Sequence, residues 1–139
     1  MSKKICIFVL DDSHERLDYF REQLDHENIV LVVAETAEDA ISKLNNHSFD
    51  LICLDHDLGG EVYVNSHELN TGYQVVQKMP EMNIHPTVVI HSWNMQGATM
   101  MADYLNDNGY RGQILVMPFM SDQFLKALKE IQKKCVSIV

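Results

Sequence analysis

The chain has 139 residues, enough to bury one core without a disulfide or metal and too few for two comfortable domains. Hydrophobic residues make up 46% and charged residues 22%, a globular balance that excludes a long disordered tail. The formal charge of −9 repels a phosphate backbone, so no long nucleic acid is expected as a partner, whereas a small anion bridged by a cation remains open.

The first apolar run is Ile5–Leu10. Ser13 then caps a helix whose buried face is Leu17, Phe20 and Leu24. A second run, Ile29–Ala34, precedes Thr36 and Asp39, a capping-box-like start to a helix marked by Ala37, Ala40, Ile41 and Leu44. The third run, Leu51–Leu54, leads into a long polar loop from Asp57 to Asn70, and then a short helix marked by Val76 and Met79. Val88–Ile90 is followed by a helix on Met95, Ala98, Met101, Ala102 and Leu105, ended by Gly109. Ile114–Val116 is followed by Ser121 as a cap and a helix on Phe124, Leu125, Leu128, Ile131 and Cys135.

The five runs are β-branched and leucine-rich and do not alternate with polar residues, as strands buried on both faces do. Strand and helix alternate five times, which gives an α/β fold: one doubly wound, five-stranded parallel sheet with helices on both faces. Residues 1–139 read as a single domain. Cys6, Cys53 and Cys135 are an odd count, and the two inside apolar runs, Cys6 and Cys53, read as reduced, buried thiols of a cytoplasmic protein. No apolar run approaches the ~18 residues of a membrane span, so no membrane is expected as a partner.

Ligands of such sheets bind beyond the carboxyl ends of the strands. Those ends carry Asp11-Asp12-Ser13-His14, Asp55-His56-Asp57, His91-Ser92-Trp93-Asn94 and Met117-Pro118-Phe119, with Glu35 at the second. Carboxylates and histidines thus gather on one rim.

These residues resemble those of a response-regulator receiver domain, and the similarity covers nearly the whole chain. Asp11 and Asp12 match the acidic pair that holds magnesium in receivers. Asp55 matches the aspartate that accepts the phosphoryl group. Thr71-Gly72-Tyr73 resembles the opening of the third receiver helix. His91 stands where receivers carry a hydroxyl residue, and Met117 where they carry the lysine that pairs with the phosphoryl group. The resemblance implies the (βα)5 flavodoxin-like arrangement, strand order 2-1-3-4-5 and a cis Met117–Pro118 bond. The pattern Asp-Asp, Leu-Asp-His-Asp-Leu-Gly and His-Ser-x-Asn is similar to the divergent group described as cyclic-phosphate-processing receiver domains. It implies a receiver fold rebuilt to process or bind a cyclic phosphate, a cyclic nucleotide or a 2′,3′-cyclic end.

Three carboxylates at one rim repel unless a cation or protons neutralise them, and an oxygen-only set suits Mg²⁺ or Mn²⁺. Asp11, Asp12 and Asp55 are therefore the candidate metal ligands, with no organic cofactor expected. Opening a cyclic phosphate needs a base for water and an acid for the leaving alkoxide, and imidazole serves as either near neutrality. His56 and His91 are the candidate catalytic pair, although His56 points with Asp55 only if the strand has ended. The same residues with Asp55 or Asp57 are an alternative transition-metal set. Asp57, Ser92, Asn94 and Trp93 are candidate substrate contacts. Asn94 equally fits a helix cap, and Trp93 equally fits packing on its own helix. Arg16, Arg111 and the lysines of the last helix read as solvated charges, which leaves the rim without a cationic side chain. Gly59-Gly60 offers backbone N–H groups as a substitute.

Three functions fit this reading: a phosphoesterase with paired-histidine chemistry, a non-catalytic cyclic-nucleotide-binding protein, and a pseudo-receiver. The last would engage a protein partner, or form a homodimer, through its fourth and fifth helices.

Overall fold

The computed structural model describes residues 4–137. Its strands are β1 (Ile5–Leu10), β2 (Ile29–Ala34), β3 (Leu51–Leu54), β4 (Thr87–Ile90) and β5 (Ile114–Val116). The helices are α1 (His14–Gln23), α2 (Ala37–Asn46), α3 (Gly72–Met82), α4 (Met95–Asp107) and α5 (Asp122–Ser137). All strands are parallel, in the order β2-β1-β3-β4-β5.

Alternation along the strands sorts the core into two layers. Phe8, Leu10, Ile52, Leu54, Val88 and Ile90 pack with α2, α3 and α4. Ile7, Val9, Cys53, Val89 and Met117 pack with Leu17 and Phe20 of α1 and with Phe124 and Leu128 of α5. Both faces of the central strands are thus buried, which is why their sequences lack alternation. Side-chain caps start the helices: Ser13 Oγ accepts from Arg16 N at 3.3 Å, Thr36 Oγ1 from Asp39 N at 3.1 Å, and Ser121 Oγ from Phe124 N at 3.3 Å.

Three expectations need correction. The third helix is not short: it begins at Gly72, capped by Thr71, and runs through Pro80 in its last turn to Asn83, which closes it at φ 52°. Cys6 is only partly buried, because β1 starts at the edge of the core, whereas Cys53 and Cys135 are buried; all three are free thiols. Among the described residues no peptide bond is cis, so Met117–Pro118 is trans. Here the Met117 side chain turns into the core under α5. Phe119 N donates to His91 O at 2.9 Å, and the chain turns at Met120 with φ 67°. No described helix is long and apolar enough to cross a membrane.

Candidate active site

Strand register builds the site. Val9 pairs with Cys53, and Cys53 with Val89. Backbone bonds carry that register past the strand ends: Asp55 N donates to Leu10 O and His91 N to Leu54 O, each at 3.0 Å. Residues two further along share the face, so Asp11, Asp55 and His91 stand in one row on the α1/α5 side. Met117 N donates to Ile90 O at 2.9 Å and places Met117 next in the row.

All three side chains are buried, and one ligand atom from each lies within 4.8 Å of the others. His91 Nε2 lies 2.9 Å from Asp11 Oδ2. Asp11 Oδ1 accepts from Ser13 N, and Asp55 Oδ1 from His56 N, each at 2.9 Å. Two atoms are left over: Asp55 Oδ2 and His91 Nδ1 are buried without a hydrogen-bond partner. A buried orphan costs about 1–3 kcal/mol, so two in one cluster call for a ligand to satisfy them. Burial pushes the Asp55 carboxyl up to about 6; His91 pulls it down, Asp11 pushes it up, and Arg16 pulls it down. Two carboxylates and an imidazole suit a divalent cation. The two carboxylates, with Asp55 Oδ2 orphaned, therefore fit a divalent cation, although Asp12 does not join them and the imidazole beside them departs from the oxygen-only set expected for Mg²⁺ or Mn²⁺.

The cationic side chain is Arg16. Its Nε lies 3.4 Å from Asp11 Oδ2 and its Nη2 3.8 Å from Asp55 Oδ2. Its guanidinium also lies 5.8 Å from the centre of the Phe119 ring. Helical periodicity alone places Arg16 at the edge of the buried stripe. Its place in the first turn of α1, directly above the rim, was the available signal.

Asp12 stands apart from the metal-ligand cluster. Its Oδ2 accepts from Gly60 N at 2.5 Å, so it pins the long loop, and that N–H is spent on Asp12. His14 Nε2 meets Glu35 Oε1 at 2.8 Å in an exposed pair.

The two candidate histidines are not brought together. His91 packs against the rings of Phe20, Phe119 and Phe124. His56 continues the alternation one residue beyond Asp55 and turns to the α3/α4 side. There its ring meets Gly97, where an added Cβ would stand 2.5 Å from His56 Cγ. Both His56 nitrogens are engaged: Nδ1 with Asp57 Oδ1 and Nε2 with Ser66 Oγ, each at 2.8 Å.

The other candidate contacts divide similarly. Asp57 accepts from Tyr63 N at 2.6 Å, Val64 N at 3.1 Å and Asn94 Nδ2 at 3.0 Å. Partial burial works to raise its carboxyl, but the hydrogen bonds from His56, Asn94 and the two loop amides prevail and hold it below the usual range. Asn94 Oδ1 caps α4, accepting from Gly97 N at 3.0 Å. Ser92 is buried and its Oγ accepts from Asn94 N at 3.1 Å. Trp93 is 58% exposed, and its Nε1 donates to Phe119 O at 2.9 Å. Sequence reasoning missed Ser66, because a loop contact ten residues from its partner carries no periodic signal.

The model for the cyclic-phosphate processing receiver domain matches residues 6–107. Among solved structures, a CheY-like response regulator receiver domain from Methanospirillum hungatei is 18% identical with a TM-score of 0.62, over 96% of this chain and 98% of that one. The response regulator domain of Thermotoga maritima CheB is 16% identical with a TM-score of 0.63, over 98% and 96%. The Thermotoga maritima response regulator TrrA, solved in complex with Mg²⁺–BeF, is 20% identical with a TM-score of 0.62, over 94% and 98%. At these identities the likeness is one of fold. No curated protein matches the chain.

Proposed function

Since this chain belongs to the cyclic-phosphate processing receiver domain family, we propose that the row of Asp11, Asp55 and His91, with Arg16, binds a small cyclic phosphate and opens its ring by hydrolysis. The observation that carries the reading is the pair of orphaned buried atoms, Asp55 Oδ2 and His91 Nδ1, in one row beside a guanidinium. Asp11 and Asp55 would hold a divalent cation, Mg²⁺ or Mn²⁺, which supplies positive charge to the phosphate oxygens when bound. The Mg²⁺ in the TrrA complex supports a divalent cation on this fold.

The roles of the chain's own residues follow from donor and acceptor counts. Asp11 accepts from Ser13 N and faces Arg16, so it is an acceptor toward His91. In its neutral form, His91 therefore carries its hydrogen on Nε2 and a lone pair on Nδ1. Nδ1 takes the proton of the attacking water as oxygen bonds to phosphorus. The ring P–O bond breaks, and the imidazolium returns the proton to the leaving alkoxide. Arg16 binds phosphate oxygens that gain charge on the way. One histidine then serves as base and acid in turn, in place of the His56–His91 pair. Because the row is buried, substrate entry requires Arg16 to swing from Asp11 and Asp55 to the phosphate. Trp93, exposed at the same rim, is placed to stack on a nucleobase.

The test is ³¹P NMR of the protein with 2′,3′-cyclic and 3′,5′-cyclic nucleoside monophosphates in Mg²⁺. Conversion to an acyclic monoester supports the reading. Saturable binding without product selects a sequestering protein, and no binding removes the reading.

A further inference from the structure

On the other side of the sheet rim, Asp57, His56 and Ser66 form a chain of two hydrogen bonds, each 2.8 Å long. The geometry points to a second, independent site in which Ser66 is a nucleophile activated by His56 and oriented by Asp57, acting on a small uncharged carboxylic ester.

The proton positions follow from the partners. Asp57 accepts from Tyr63 N, Val64 N and Asn94 Nδ2, all donors, so its carboxylate only accepts. His56 Nδ1 must then donate to it, which leaves Nε2 as an acceptor facing Ser66 Oγ. This is the arrangement in which a histidine withdraws a serine proton. The other neighbours of Nδ1 and Oγ do not compete: Asn94 Nδ2 spends its hydrogens on Asp57 and Val64 O, and Met100 Sδ, 3.4 Å from Ser66 Oγ, is a weak acceptor.

The parts are held in place. The His56 ring is buried and pressed on Gly97, where no side chain fits. The Ser66 backbone is fixed from α3, with Gln74 Nε2 donating to Ser66 O at 3.1 Å. Ser66 lines a cavity of about 380 Å³, walled by Tyr63, Asn65, His67, Gln96 and Met100. The lining offers amides and an aromatic ring but no Lys, Arg, Asp or Glu, which favours an uncharged polar substrate. The first turn of α4 forms one wall; its Gly97 N is spent on Asn94 Oδ1, and the N–H of Gln96, a first-turn group with no intrahelical acceptor, would receive a developing oxyanion. In the reaction Ser66 Oγ bonds to the ester carbon, and its proton passes to His56 Nε2 and on to the leaving alkoxide. Water then attacks the acyl-serine, His56 takes the water proton, and acid and free serine are released.

The probe is diisopropyl fluorophosphate, which bonds to an activated serine with loss of fluoride, read by peptide mass mapping. A single adduct on Ser66 is expected, absent in Ser66→Ala. His56→Gln and Asp57→Asn, compared at a temperature where melting curves show both folded, should slow labelling by about 10²–10⁴-fold. A stoichiometric p-nitrophenol burst from p-nitrophenyl acetate should accompany it. No adduct on the wild type, or equal labelling of the folded His56 and Asp57 variants, overturns the proposal. Neither readout involves a cyclic phosphate, so failure here leaves the Asp11–Asp55–His91 reading untouched.

Discussion

His91 Nε2 lies 2.9 Å from Asp11 Oδ2, with both side chains wholly buried. Asp11 accepts at both oxygens, so the ring hydrogen belongs on Nε2. Two-dimensional ¹H–¹⁵N spectra of the histidine rings at pH 8 should show His91 as the Nε2–H tautomer. In Asp11→Asn the preference should weaken or invert, because the amide offers a donor as well as an acceptor. An Nδ1–H tautomer in the wild type would remove the free lone pair on which the base role depends.

Asp55 ties the site to stability. Burial raises its folded carboxyl to about 6, above the unfolded value of about 3.9. The folded state thus holds this proton more tightly. Its contribution is fully present below about pH 4 and is lost as pH rises through about 6, each unit of difference being worth about 1.4 kcal/mol. Asp55→Asn should therefore melt above the wild type at pH 7.5, with the gap closing toward pH 4.5. Added Mn²⁺ should raise the melting temperature of the wild type and leave Asp55→Asn nearly unmoved. An Asp55→Asn protein that melts below the wild type at pH 7.5 contradicts this account of the carboxylate.

Two glycines are required by close approach. A Cβ on Gly72 would run into the Asp55 carbonyl oxygen, and one on Gly97 would stand 2.5 Å from the His56 ring. Overpacking of this kind costs about 1–3 kcal/mol and occasionally more. Gly72→Ala should be the worse, because a strand-end carbonyl yields less than a ring. Urea melts should rank wild type above Gly97→Ala above Gly72→Ala; the reverse order of the two variants would mean that α3 can slide away from β3.

Phosphorelay chemistry gives a separate check. Met117 lies in the core under α5 and has no charge to pair with a phosphoryl group on Asp55. Acetyl phosphate with Mg²⁺ should leave little lasting aspartyl phosphate by intact-mass measurement. Stoichiometric, long-lived labelling at Asp55 would point to signalling instead.

Much of this was legible in the residues. The non-alternating runs located all five strands, and the order 2-1-3-4-5 implied by the resemblance to receivers is the observed one. Asp11, Asp55 and His91 could be read as one rim because each directly follows a strand. What failed was direction. His56 also follows a strand, but the two-residue period continues through it and turns it to the other face. Arg16 sits on a helix where periodicity separates buried from exposed, yet its long side chain reaches back over the rim to two carboxylates. Asp57, Asn94 and Ser66 meet through a fourteen-residue polar loop, where neither period applies. The third helix extends beyond the stretch that Val76 and Met79 mark, from Gly72 to Met82, because its first turn is capped by Thr71 and its last contains Pro80, neither of which carries the apolar period.

The most direct measurement is the rate of cyclic-phosphate opening against pH for the wild type and His91→Gln, alongside ligand affinity by calorimetry. The account predicts a fall in turnover of about 10²–10⁴-fold with affinity changed far less, since the imidazole acts where protons move. Full turnover in a folded His91→Gln protein would contradict it.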